Sequence, residues 1–289
     1  MRLSALPCLV AAACLAAPAL LGAAGPRFDY DHSRPLELAA SEVALRNVSY
    51  RTLSGQRAEA IVVAPARAGR YPGVLFVHWY GEPFQTSNRT QFLPDALELA
   101  RHGVASLLVD AMWSSPRWFG TRKPADDFAA SVAQVKELRR DLDLLTSLPE
   151  VDGKTIAYVG HDFGAMYGAL LAAADPRPKA LVFIAGTTTF SSWFLLGRKL
   201  EDAARKQVEE ELAPLDPIRH IGTIGAGSLL FQFARKDEYV TAEQADALVA
   251  AAREPKAAKF YECGHEMNGQ AMADRVEWLL KVLAPRPAS

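Results

Sequence analysis

The sequence predicts an α/β fold in which a mostly parallel central sheet carries helices on both faces. Three observations predict it. Short continuous apolar runs, such as residues 73–78 (GVLFVH), have the composition of strands buried on both faces. Longer segments with helical spacing alternate with them. Turn and stop signals fall between the two kinds: Ser54-Gly55, Gly103 and Pro149. Strands that alternate with helices build a parallel sheet covered on both sides.

In chain order, residues 43–49 and 58–64 read as strands joined at Ser54-Gly55. The strand at 73–78 precedes a helix at 91–102, which Gly103 stops, and 105–110 is the next buried strand. Residues 127–148 form the longest helical pattern, with Val132, Val135, Leu138, Leu142 and Leu145 at spacings of three and four, and Pro149 ends it. A strand at 155–160, a small-residue helix at 165–174 and a strand at 181–185 follow. Strands at 229–234 and 259–261 and helices at 242–252 and 271–282 complete the series. The one long irregular region, about 187–227, holds a charged helical stretch at 198–212; lying between two strands, it is a candidate lid.

The chain has 289 residues, 50% hydrophobic and 22% charged, which allows a large core and excludes global disorder. A formal net charge of −1 argues against a nucleic-acid partner. Arg2, the apolar Ala-rich stretch after it and the small residues Gly22, Ala23 and Ala24 read as a secretory signal peptide over residues 1–24. That leaves 25–289 as a single domain, exported to the periplasm or secreted, with no stable membrane association after cleavage. Cys8 and Cys14 would leave with the signal, so Cys263 remains alone and no internal disulfide is expected.

The segment TIAYVGHDFGAMYGALLAA carries the chemistry. A buried strand runs into Gly160-His161-Asp162-Phe163-Gly164 and directly into a helix. This is the pattern of a nucleophile elbow, a tight strand-to-helix turn that presents one side chain at the end of the sheet. The nucleophile position holds Asp162, and a carboxylate can attack an electrophilic carbon to form an enzyme ester. Asp237 follows the strand at 229–234, and His265 follows the strand at 259–261. Glu238 is the rival acid, and its neighbour Asp237 is preferred from its place in the loop. Nucleophile, acid and histidine therefore arrive in the order Asp162, Asp237, His265, each at the end of a strand where ligands of open α/β sheets bind.

On these residues the chain resembles the α/β-hydrolase superfamily over essentially its whole mature length. The elbow GHDFGA is similar to the Asp elbows of epoxide hydrolases and of haloalkane and haloacetate dehalogenases. The short insertion, the segment Leu215-Asp216-Pro217-Ile218, KDEYVTAEQADAL and YECGHEM resemble the dienelactone hydrolase-like branch, whose members usually carry Cys or Ser at the elbow. The resemblance implies the α/β-hydrolase fold and a metal-independent hydrolase of a small organic substrate: an ester or lactone, an epoxide or a halide. Two departures stand out. Epoxide hydrolases generally present two tyrosines from a cap, whereas this insertion contains none. The dehalogenases place Trp or Arg after the nucleophile, where this chain has Phe163.

An oxyanion hole needs two converging N–H groups. Phe163 is expected to supply one, and Trp79 or Tyr80, in the HG-type loop after the strand at 73–78, the other. His78 reads as structural. Trp113, Trp118, Phe119 and Trp193 are the candidate substrate-binding aromatics, with Phe84, Met112 and Phe194 in the same rim segments. Arg117 and Arg122 could meet an acidic substrate. No metal motif occurs, and no cofactor is expected. Residues 222–227 are Gly-rich but lead into a strand, unlike a dinucleotide loop. Three alternatives remain at this level: Asp162 acting as a base for water without an adduct, a non-catalytic ligand-binding protein on the same scaffold, and a signal-anchored interaction module, which only the N-terminal segment supports.

Overall fold

Nine strands, counted among the described residues, join in one sheet. They are Asp31–Pro35 (β1), Val43–Arg51 (β2), Arg57–Pro65 (β3), Tyr71–Val77 (β4), Ala105–Val109 (β5), Val151–His161 (β6), Pro178–Ile184 (β7), Ser228–Ala234 (β8) and Lys256–Tyr261 (β9). The structure is a computed structural model that describes residues 31–35, 42–81, 88–115, 117–225 and 227–284. The proposed signal segment and Phe84 lie outside the described residues. Among the described residues, no helix is long and apolar enough to cross a membrane.

The sheet order is β1-β2-β3-β5-β4-β6-β7-β8-β9. β1, β2 and β3 run antiparallel and join β5 antiparallel, while every pair from β5 to β9 is parallel. β4 is the strand from which the chain first steps to β5 and then crosses to β6 on its other side. Such a reversal opens a crevice at the carboxyl ends of the strands. Register brings those ends level: Val77 pairs with Gly160, His161 with Ile184, and Ala234 with Tyr261. The loops after β4, β6, β8 and β9 therefore emerge side by side.

The central strands are apolar on both faces because both are covered. Val74, Leu75, Phe76 and Val77 in β4 are buried, as are Leu107, Leu108 and Val109 in β5. Leu93–Arg101 (α1) packs with the C-terminal helix Gly269–Leu283 in one group, and Asp127–Ser147 packs with Phe163–Ala174 in another. In the long helix Asp127–Ser147, Val135, Leu138, Leu142 and Leu145 are buried as their spacing predicts, and Val132 is half-buried. Phe163–Ala174 lies close on the sheet because its inner face is small. A Cβ on Gly168 would stand 2.2 Å from Tyr158 Cε1, and the Tyr158 hydroxyl donates to the Gly164 carbonyl at 2.6 Å.

The insertion between β7 and β8 holds three helices, Phe190–Phe194, Asp202–Leu212 and Pro217–His220. The charged stretch expected at 198–212 is helical only from Asp202. β1 and the short helices Trp118–Thr121 and Phe190–Phe194 were not anticipated from sequence periodicity.

Candidate active site

Asp162 is the single residue between β6 and the helix Phe163–Ala174, and its backbone adopts φ 58°, ψ −118°. Positive φ is costly for a side chain other than glycine, and it persists where the surroundings impose it. Here they do. A Cβ on Gly160 would lie 2.3 Å from the Gly164 carbonyl oxygen, and one on Gly164 would lie 2.3 Å from that of Val77. The chain crosses itself too closely for either, so the turn is locked and Asp162 is pushed out at its tip.

The Asp162 carboxylate is 1% exposed. Its Oδ2 accepts the Tyr80 N–H at 3.1 Å and lies 4.0 Å from His265 Nε2. Asp162 Oδ1 and His265 Nε2 are buried without a hydrogen-bond partner among the described residues. Burial pushes the Asp162 carboxyl from an ordinary 3.8 up to about 7, against the opposing pull of His265 and of the Tyr80 and Phe163 amides.

His265 completes the group from the loop after β9, and Asp237 from the loop after β8. The two loops are fastened by backbone bonds from Arg235 N–H to the Tyr261 carbonyl at 2.8 Å and from Lys236 N–H to that of Cys263 at 3.1 Å. His265 Nδ1 meets the Asp237 oxygens at 3.0 and 2.9 Å. Asp237, not Glu238, is the carboxylate on the imidazole. The N–H groups of Tyr239 and Val240 donate to its Oδ1 at 2.8 and 3.1 Å. Burial works against charge on Asp237, but His265 and these amides outweigh it and hold the carboxyl below its ordinary range. Burial also disfavours a charged His265, yet the Asp237 bond and the Asp162 charge win and raise its pKa. Since a carboxylate only accepts, the proton sits on Nδ1 and leaves Nε2, facing Asp162, able to accept one.

Of the two candidates for the second hole amide, Tyr80 points at Asp162. The Trp79 N–H donates instead to Gln91 Oε1 at 2.9 Å. The Trp79 ring stacks beside His161 and His265, at centroid distances of 5.1 and 5.9 Å. His78 is structural: its Nδ1–H donates to the Trp79 carbonyl and its Nε2 accepts the Ser114 hydroxyl, both at 2.6 Å. Burial lowers its pKa to about 4, so it is neutral.

Trp193 and Tyr239 flank His265, with ring centroids 5.5 and 5.0 Å away. Trp118, Trp193 and Phe194 surround Phe163, and Phe119 joins through Tyr80. Trp113 also meets Phe163, with ring centroids 5.5 Å apart. It is 3% exposed, its indole N–H donates to the His78 carbonyl at 3.1 Å, and its ring stacks on Tyr167. Arg122 is ion-paired with Asp127 and lies over the rings of Phe119 and Phe194, so its charge is already neutralised within the fold. Sequence reading missed Tyr239, Gln91 and His161. His161 lies inside the elbow motif itself, and Tyr239 two residues beyond Asp237; both positions were visible, but nothing in them signalled side-chain direction. Among the described residues, no group of three or more His, Cys, Asp or Glu side chains could hold a metal ion.

Comparison with solved structures finds the same architecture in several proteins. An acetyl xylan esterase from Paenibacillus sp. R4 superposes with a TM-score of 0.69 at 18% identity, covering 89% of this chain and 88% of that one. Acetyl xylan esterase 1 from Thermoanaerobacterium sp. JW/SL YS485 gives 0.72 at 15%, covering 90% and 89%. A cold-adapted esterase from an Arctic intertidal metagenomic library gives 0.65 at 16%, covering 89% and 99%. At such identities the likeness speaks for the fold alone. A search of curated proteins found no significant match. The sequence pattern of the alpha/beta hydrolase family, however, matches residues 74–283. The chain belongs to the alpha/beta hydrolase family, and it is a hydrolase.

Proposed function

We propose that Asp162 is a carboxylate nucleophile and that its preferred electrophile is a saturated carbon bearing a halide or an epoxide oxygen. The observation that carries this reading is the division of labour between the two Asp162 oxygens. Oδ2 accepts the Tyr80 N–H, and Oδ1 is buried without a partner among the described residues. An ester substrate must place its own carbonyl oxygen in the oxyanion hole, and here the enzyme's oxygen occupies that amide. Attack on a saturated carbon needs no such place.

In the first step, Oδ1 forms a bond to the carbon while the bond to the leaving group breaks, and the electron pair departs with halide or alkoxide. An alkoxide takes a proton; Tyr239, beside His265, is the nearest phenol of the acid loop. In the second step, His265 Nε2 removes a proton from water, and the resulting hydroxide attacks Cγ of Asp162. Charge develops on Oδ2, where the Tyr80 and Phe163 N–H groups receive it. The bond from Cγ to Oδ1 then breaks, Oδ1 leaves with the product alcohol as His265 returns the proton, and the proton remaining on the regenerated Asp162 carboxyl passes to solvent or, after an epoxide, to the Tyr239 phenolate. Asp237 keeps the imidazole in the required tautomer throughout.

A second reading has one observation in its favour. A carboxyl titrating at about 7 is suited to general acid–base work, with Asp162 deprotonating water directly. The reading also includes export by the segment 1–24, which N-terminal sequencing of the secreted or periplasmic product tests. The mechanism is tested with His265→Gln and a panel of haloalkanes, epoxides, esters and lactones, followed by intact mass. Attack should proceed and release should stop, so a mass gain from a haloalkane or epoxide should map to Asp162. Turnover by wild type with no adduct on the variant would overturn the nucleophile and favour the base.

A further inference from the structure

The structure assigns Gln91 a positioning role: its amide clamps the oxyanion loop and, through His161, fastens that loop to the backbone of the catalytic histidine. The chain of bonds is short and continuous. Trp79 N–H donates to Gln91 Oε1 at 2.9 Å. Gln91 Nε2 meets His161 Nδ1 at 2.6 Å, and His161 Nε2 meets the His265 carbonyl oxygen at 3.0 Å.

The two ends fix the polarity of everything between. A backbone N–H can only donate, so the Gln91 atom facing Trp79 must be the oxygen. The amide nitrogen then faces His161 and donates to Nδ1. A backbone carbonyl can only accept, so His161 Nε2 must carry the proton. Only one arrangement satisfies all three contacts, with His161 as a neutral Nε2–H imidazole. Burial supports the same state, because it drives the His161 pKa well below its ordinary value, and the charges of His265 and Arg275 push the same way. Arg275 is itself paired with Asp95, and the groups around His265 are Asp162, Asp237 and Glu266.

The consequence for the site is geometric. With its N–H engaged by Gln91, Trp79 is withdrawn from the hole and the next amide, Tyr80, is turned toward Asp162 Oδ2. The Trp79 ring covers both imidazoles, so one loop conformation sets the hole donor and buttresses the base. Gln91 lies just ahead of α1, far in sequence from both catalytic loops, and touches neither Asp162 nor the imidazole of His265 by hydrogen bond. It acts through its neighbours.

The inference rests on the reading of Tyr80 and His265 as hole and base. Its test needs no substrate, so it fails or succeeds independently of the alkyl-transfer chemistry. Imidazole ¹⁵N spectra of the labelled protein should show His161 as the Nε2–H tautomer, unchanged from about pH 6 to pH 8. In Gln91→Met, the Nδ1 signal should move to that of a nitrogen without a donor. Hydrogen exchange at the Tyr80 amide should quicken at least tenfold, while amides in the centre of β6 keep their wild-type rates. A side chain that merely fills space would leave the Nδ1 signal and the Tyr80 exchange as they are, and that result would overturn the assignment. An Nδ1–H tautomer in wild type would overturn it as well, and that measurement holds even if the variant does not fold.

Discussion

Replacing Asp162 by Asn should make the protein more stable, by a margin that grows as pH rises from about 4 to about 7. The carboxyl is 1% exposed and titrates at about 7 in place of 3.8. The folded protein therefore binds an extra proton between those two values. Stability consequently falls as pH rises through that window, and above about 7 the full penalty is present. Three pH units at about 1.4 kcal/mol each put the penalty on the order of 4 kcal/mol. Asn removes the charge, keeps the shape and leaves an amide oxygen for the Tyr80 N–H. For a chain of this size the gain corresponds to a rise in Tm of roughly 8–16 °C at pH 9, shrinking toward zero near pH 4. Calorimetry at pH 5, 7 and 9 measures it. A gain that does not vary with pH, or a loss at pH 9, would refute the claim that Asp162 is held ionised against its surroundings.

Two further outcomes follow from the same geometry. Asp237→Asn should abolish release from the enzyme. The Tyr239 and Val240 amides would keep the Asn oxygen and turn its NH₂ toward His265, which moves the imidazole proton to Nε2. NMR titration should then show the His265 pKa falling below its ordinary value, because burial acts without its main counterweight, and any adduct should persist as in His265→Gln. Gly164→Ala should destabilise by more than the 1–3 kcal/mol or so typical of core overpacking, because the new methyl meets backbone at 2.3 Å. Soluble yield and a denaturant midpoint decide it, and a midpoint equal to wild type would show that the crossing is looser than described.

The sequence was most informative where one physical cause dominates. The strands from β4 to β8 are apolar where both sheet faces are covered, and that composition needs no partner to be recognised. The elbow was readable because two glycines four residues apart betray a backbone crossing. The sequence was silent where a neighbour distant along the chain decides. Nothing local to Trp79 and Tyr80 says which amide faces the site; Gln91, twelve residues later, decides it. Trp113 sits in a loop segment that reads like a pocket rim, and its partners, the His78 carbonyl and the Tyr167 ring, are distant along the chain. β1, with the sequence DHSRP, has no apolar alternation to announce it, and among the described residues it joins the sheet through its pairing with β2. β6 begins four residues before the strand expected at 155–160: Val151 is buried and pairs with Tyr71, while Asp152, Gly153 and Lys154 interrupt the apolar run.

One imidazole between two carboxylates explains why they can do different work. Asp237 accepts two backbone N–H groups and the His265 bond, which hold its carboxyl below the ordinary range. Asp162 has the Tyr80 amide on one oxygen and no partner among the described residues on the other, and burial keeps its charge costly. Environments that push two like groups apart in this way assign their roles. On the proposed mechanism, alkylation at Oδ1 turns the costly carboxylate into a neutral ester, and part of the burial penalty is released as the bond forms. The ester carbonyl already lies against the amides that receive its charge in the next step. The free energy that Asp162→Asn should recover as stability is therefore the same free energy that drives Asp162 toward its electrophile. If the alkaline stability gain were absent, this account of its reactivity would fail with it.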